Sequence, residues 1–116
     1  MKSVVSIWIG NFESEEKFTD FIQEQYDEEG DLQTSSFMEV FEIDDIDHDF
    51  QEVLFHKNLS KDDIAQASYA ESFIDRINDN SLTGNCVLLL YDFNYKGKVQ
   101  TSNGFHFIGT FEYEKA

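Results

Sequence analysis

The chain has 116 residues, 41% hydrophobic and 16% aromatic with twelve Phe, which gives material for one real core and excludes both a disordered tail and two domains of ordinary size. Its 24 Asp and Glu against 8 Lys and Arg leave a formal charge of -16, which excludes the basic stripes that track phosphate and leaves a basic partner or plain solubility as the meaning of the charge. The lone Cys86 excludes an internal disulfide; with no leader pattern and no apolar run near the ~20 residues of a membrane span, cytoplasmic residence is expected.

The chain opens on a predicted strand over residues 4–12. Val5, Ile7 and Ile9 alternate with Val4, Ser6 and Trp8, so both faces ask for burial and the strand is expected at the centre of the fold. Gly10 and Asn11 tolerate the positive φ of a tight exit turn. A helix follows, capped by Ser14 or Glu13, with Glu15 and Glu16 in its first turn and Phe18, Phe21, Ile22 and Tyr26 as its apolar stripe; Gly30 is its expected stop. Residues 27–31 form an acidic exit loop. Residues 35–41 admit two parsings: Ser36 and Glu39 have capping-box spacing for a short helix, whereas Phe37, Glu39, Phe41 and Ile43 also fit a strand register. The helix is favoured.

A dense polar loop over 44–49 leads to a strand at 50–56. Ser60, with Asp62 and Asp63 behind it, caps a segment of one or two turns. Ser68 and Glu71 repeat the capping-box spacing, and Ala70, Phe73, Ile74 and Ile77 share a helical face, which predicts a second main helix ending in the turn cluster at 78–81. Residues 86–95 read as a strand with both faces apolar through Leu90, Asp92 and Asn94 reaching the rim. After a turn at Lys96-Gly97, Asn103-Gly104 gives a strong hairpin signal. In the last strand Phe105, Phe107, Phe111 and Tyr113 are expected on one face, with Gly109 leaving room for a bulge or a bulky neighbour. The order predicts a single α+β domain over 1–116. Its expected form is a two-layer sandwich, a mainly antiparallel sheet with two main helices packed on one face.

Catalysis and metal binding find little support. An EF-hand loop begun at Asp45 would place Asp47 and Asp49 correctly but puts Phe50 where Gly is needed and His56 where Glu is needed. His48, His56 and His106 are scattered, and Cys86, inside the apolar run 86–90, reads as a buried small hydrophobe. The carboxylates crowd polar loops without the apolar surroundings that tune a catalytic pKa. The glycines have turn explanations and form no phosphate loop. We therefore expect no enzyme, no cofactor and no metal.

Four blocks spanning nearly the whole chain carry a family resemblance: Ser6-Ile7-Trp8-Ile9-Gly10-Asn11-Phe12, Ser68-Tyr69-Ala70-Glu71-Ser72-Phe73, Leu89-Leu90-Tyr91-Asp92-Phe93-Asn94-Tyr95 and Phe107-Ile108-Gly109-Thr110-Phe111-Glu112-Tyr113. In order and spacing they resemble the immunity protein 22 family of bacterial polymorphic toxin systems. The resemblance implies an α+β protein, made beside a toxin, that binds it and performs no catalysis. It makes Trp8, Gly10, Asn11, Ser72, Phe73, Tyr91 and Phe93 mainly scaffold positions and transfers no contact residue.

The charge is distributed to suit such a partner. Through Asn58 there are 16 acidic and 3 basic residues, and from Leu59 onward 8 acidic and 5 basic, so the two parts carry -13 and -3. An acidic protein can occlude the basic cleft of a toxin, a nuclease being one such toxin, but tight inhibition also needs anchors. Glu28, Glu29, Asp31, Asp44, Asp45, Asp47 and Asp49 are the expected acidic rim, and Tyr91, Asp92 and Tyr95 the expected anchors. The alternative is an acidic DNA mimic or regulator that occupies a basic nucleic-acid-binding protein.

Overall fold

The computed structural model describes residues 3–44, 46, 50–78, 84–102 and 104–114. The first strand, β1 (Ser3–Gly10), is buried from residue 5 to residue 10, and both of its edges are paired. On one side β5 (Cys86–Tyr91) runs antiparallel to it, Val5 opposite Tyr91 and Gly10 opposite Cys86. On the other lies β7 (Phe105–Tyr113), also antiparallel. Beyond them β4 (Gln51–Phe55) pairs with β5, and β6 (Thr101–Ser102) with β7, completing the order β4-β5-β1-β7-β6. The expected central position of the opening strand is thus observed, in an all-antiparallel sheet.

Gly10 is needed for space and not for φ. It is absent from the positive-φ residues, but a Cβ there would run into the Gly104 carbonyl and the Phe105 ring, which cross at close range. Gly109 does use its freedom. At φ +143° it sits in a bulge where Ile7 faces Gly109 and Trp8 already faces Phe107, leaving Ile108 extra. The extra residue reverses the alternation along β7. Phe105 and Phe107 therefore join one core, whereas Phe111 and Tyr113 join the other, in place of the single shared face expected.

Those two cores lie on opposite sides of the sheet. Trp8, Cys86, Leu88 and Leu90 face α1 (Glu15–Ile22) and α2 (Ser36–Val40), which contribute Phe18, Phe21, Ile22, Phe37 and Met38. Val5, Ile7, Ile9, Val87 and Leu89 face the segment from Leu59 to Ile77. The predicted two-layer packing with both helices on one face is corrected to helical cover on both faces. β1 and β5 are apolar on both sides, so both sides must be shielded from water.

The helical segments are shorter than predicted. Ser14 caps α1 by accepting from Lys17 N–H at 3.2 Å, and the helix ends at Ile22 because Gln23 turns extended. Tyr26 is not on its stripe. It pairs with Leu32 in a small hairpin of β2 (Gln25–Tyr26) and β3 (Leu32–Gln33). Residues 36–40 do form the short helix, but the cap is the buried Ser35, which accepts from Met38 N–H at 3.1 Å. Ser60 and Asp63 close a reciprocal capping box on α3 (Lys61–Ile64), and the Ser60 N–H holds the Asp63 carboxyl below its ordinary range.

Over 68–77 no continuous α-helix forms. Tyr69 stands at φ 60°, and two single 3₁₀ turns follow, Ala70–Ser72 and Ile74–Arg76. The apolar spacing still holds, since Ala70, Phe73 and Ile77 are all buried against the sheet. The predicted 86–95 strand likewise stops at Tyr91, where Asp92 adopts φ 58°.

Ser6 ties the departing chain to β1. Its Oγ is fully buried, donates to the Phe93 carbonyl at 2.6 Å, accepts from Tyr95 N–H at 3.0 Å and lies 3.1 Å from Thr110 Oγ1. Ser6→Ala would leave the part-buried Phe93 carbonyl and the buried Tyr95 N–H without this hydroxyl, so we expect a loss of about 1–3 kcal/mol. Urea unfolding checks this, and a midpoint equal to wild type would remove Ser6 from any stabilising role.

Candidate partner-binding site

The acidic candidates divide by what holds them. Glu28, Glu29 and Asp31 are exposed together at the tip of the β2–β3 hairpin. The residue that builds this tip is Asp27: its Oδ1 accepts from Glu29 N–H and Asp31 N–H, both at 2.9 Å, and its Oδ2 accepts from Gln33 Nε2 at 3.0 Å. Gly30 at φ +86° completes the turn. With the turn so secured, the three carboxylates point into water with no internal partner required of them. Asp44 is exposed beyond α2, while Asp45, Asp47 and Asp49 lie outside the described residues.

Both tyrosines expected as anchors sit in the core of the free protein. Tyr91 is 8% exposed and Tyr95 6%. Tyr91 falls on the face of Val87 and Leu89, and its hydroxyl reaches the Ser68 carbonyl at 2.7 Å and Glu52 Oε1 at 3.0 Å. Burial, reinforced by the Glu52 carboxylate, raises its phenol well above the usual range. Tyr95 packs against Trp8, its hydroxyl 3.0 Å from the Phe41 carbonyl and 2.9 Å from that of Val99. Asp92 is exposed but also structural, since it accepts from Tyr113 hydroxyl at 2.8 Å and its N–H donates to the Val4 carbonyl at 2.7 Å. Burial and that carboxylate push the Tyr113 phenol up to about 12. Cys86 is fully buried, its thiol pushed to about 12 by burial, which makes it an inert packing residue.

Other aromatic and aliphatic groups do reach the surface. Tyr26 is 73% exposed, Phe50 45% and Val53 43%. Tyr26 and Val53 line one groove of about 440 Å³ with Ile22, Glu24 and Gln51, between the end of α1 and the outer strand β4. Its lining carries the Glu24 carboxylate. From Phe18 to His56, the stretch that supplies α1's end, the hairpin and β4, thirteen Asp and Glu occur and no Lys or Arg. Among the described residues no cluster of three His, Cys, Asp or Glu is placed to hold a metal, and no helix is long and apolar enough to cross a membrane.

Residues 5–114 match the family described as Immunity protein 22. The chain belongs to that family. No curated protein and no solved structure matches it.

Family membership carries a role in toxin immunity and implies a toxin as binding partner. In this immunity protein the four sequence blocks that carried the resemblance fall on β1, the 3₁₀ segment, β5 with its exit and β7. The sequence reading puts Tyr26 on the apolar stripe of the first helix and Val53 simply within the 50–56 strand. Ile22 and Tyr26 are four apart, as on a helix, yet Asp27 and Gly30 between Tyr26 and Leu32 are a turn signature that would have placed a hairpin there.

Proposed function

We propose that this protein neutralises a cognate polymorphic toxin in the cytoplasm by binding it directly, its acidic surface covering a basic face of the toxin. The family match over residues 5–114 carries the proposal. The charge gives it a direction: a net -16, concentrated between Phe18 and His56, complements the basic cleft of an enzyme that cuts nucleic acid. Glu28, Glu29, Asp31 and Asp44 supply the exposed rim, and the protein itself performs no catalysis.

The test is co-expression with the toxin domain encoded in the adjacent reading frame. The expected result is survival of the cells and a complex that elutes as one species in gel filtration. Death at the rate seen without this protein, with no complex formed, overturns the proposal. A complex formed instead with a chromosomal DNA-binding protein would favour the DNA-mimic alternative.

A further inference from the structure

The two edges of the sheet are finished differently. The β7 edge is occupied by its own chain: β6 pairs with its start, Phe107 N–H donates to the Gln100 carbonyl at 2.8 Å, the Arg76 guanidinium donates to the Glu112 carbonyl, and Glu114 N–H donates to Ser72 Oγ at 3.2 Å. The β4 edge has no strand beyond it among the described residues. Nor does it carry the usual guards. Gln51–Phe55 contains no Lys and no Pro, and its one charge, Glu52, accepts from Ser68 N–H and Tyr91 hydroxyl, both at 3.0 Å.

Hydrogen-bond alternation fixes which backbone groups face outward. His56 N–H donates to the Asn85 carbonyl at 2.9 Å, and the register pairs Leu54 with Val87 and Glu52 with Leu89. In an antiparallel ladder every second residue bonds inward, so Leu54 and Glu52 bond to β5 while Val53 and Phe55 direct N–H and C=O away from it. The Val53 side chain shares the face of its neighbour Leu88, the α1 side, where it forms a wall of the groove with Ile22, Glu24 and Tyr26.

We propose that the toxin adds an extended segment to the open edge of β4, with Val53 and Phe55 exchanging backbone hydrogen bonds with it. This inference rests on the toxin-binding function above and names the surface. The segment is basic. On one face it presents an aliphatic side chain to the groove and, two positions away, a Lys or Arg to Glu24 and the hairpin carboxylates. Main-chain pairing supplies affinity, and the alternate pockets supply selection. A second copy of this chain is the competing occupant, but pairing two β4 edges would bring two -16 chains together at their most acidic segments.

The experiment uses the isotope-labelled full chain, alone and with the toxin domain encoded in the adjacent reading frame, and follows amide exchange residue by residue. Val53 and Phe55 amides should exchange freely in the free protein and slow by about 100-fold or more in the complex, as buried strand amides do. Val53→Pro removes one outward N–H without touching a β4–β5 bond; it should leave the free protein's near-UV spectrum intact and weaken binding by about 100-fold, while Val53→Thr binds within about 3-fold of wild type. If the complex forms but both amides exchange as in the free chain, the β4 docking falls and the immunity function stands. If wild type forms no complex, the function falls and takes this inference with it. If the same amides are protected in a concentrated sample of the chain alone, with a dimer seen by sedimentation, a second copy owns the edge and the proposal is overturned.

Discussion

Trp8→Ala should cost about 3–5 kcal/mol, a loss comparable with the whole stability of a marginal domain, typically on the order of 5–15 kcal/mol. Trp8 is fully buried, with Phe37, Phe41, Tyr95 and Phe107 around it at ring-centroid distances of 4.9, 5.9, 5.2 and 5.0 Å. These four come from α2 and its C-cap Phe41, the loop after β5, and β7, so the indole is where the sheet, the helical cover and the returning chain meet. Removing it empties a site that none of these elements can fill without moving another, and such cavities collapse poorly. The expected readout is a large fall in the denaturant midpoint with loss of the near-UV aromatic signal.

Trp8→Phe makes the argument sharper. The Trp8 Nε1 is buried with no hydrogen-bond partner among the described residues, so Phe removes an unpaired donor while keeping a ring in place. Its cost should be well under half that of Trp8→Ala. Equal losses for the two variants would mean that the indole's size, and not ring packing as such, is what the site requires.

How much of this was legible in the sequence depends on what a pattern can encode. The alternation of Val5, Ile7 and Ile9 against Trp8, and the apolar run from Cys86 to Leu90, located the two central strands because nothing else buries both faces at that length. The Asn103-Gly104 signal agrees with the antiparallel pairing of β6 and β7, Asn103 itself lying outside the described residues, and Gly104 and Gly109 both take a positive φ that few residues tolerate. The layer arrangement was misjudged although its signal was present. Strands apolar on both sides require cover on both sides, and periodicity shows that a helix has an inner face without saying which side of the sheet receives it.

The tyrosines illustrate the same limit at the site. Tyr91 follows Leu90 in a strand, so it shares the face of Val87 and Leu89, and its burial could be deduced from register alone. Tyr95 lies after Asp92 has turned the chain, and no period connects it to Trp8. The open β4 edge was beyond any local pattern, because whether a strand has one neighbour or two is decided by the rest of the chain.

Neutralising the exposed rim, with Glu28→Gln, Glu29→Gln, Asp31→Asn and Asp44→Asn together, should slow toxin association by about 10-fold or more at low ionic strength. These carboxylates were chosen because they are exposed, whereas Asp27 holds the hairpin turn through three hydrogen bonds and its loss would confuse shape with charge. Exposed charges at a rim act on the encounter more than on the docked complex, so dissociation should change little and the salt dependence of the association rate should flatten. The free protein should be as stable as wild type or slightly more so, since four like charges are gone from a chain at -16. Stopped-flow measurements at two ionic strengths decide the matter, and an unchanged association rate removes these four residues from the steering field. The contrast with Val53→Pro is the informative part: an edge that forms backbone bonds governs dissociation, so the two variants should act on opposite rate constants. If Val53→Pro instead slowed association alone, with dissociation as in wild type, the β4 edge would lie on the approach path of the toxin and not in the final contact.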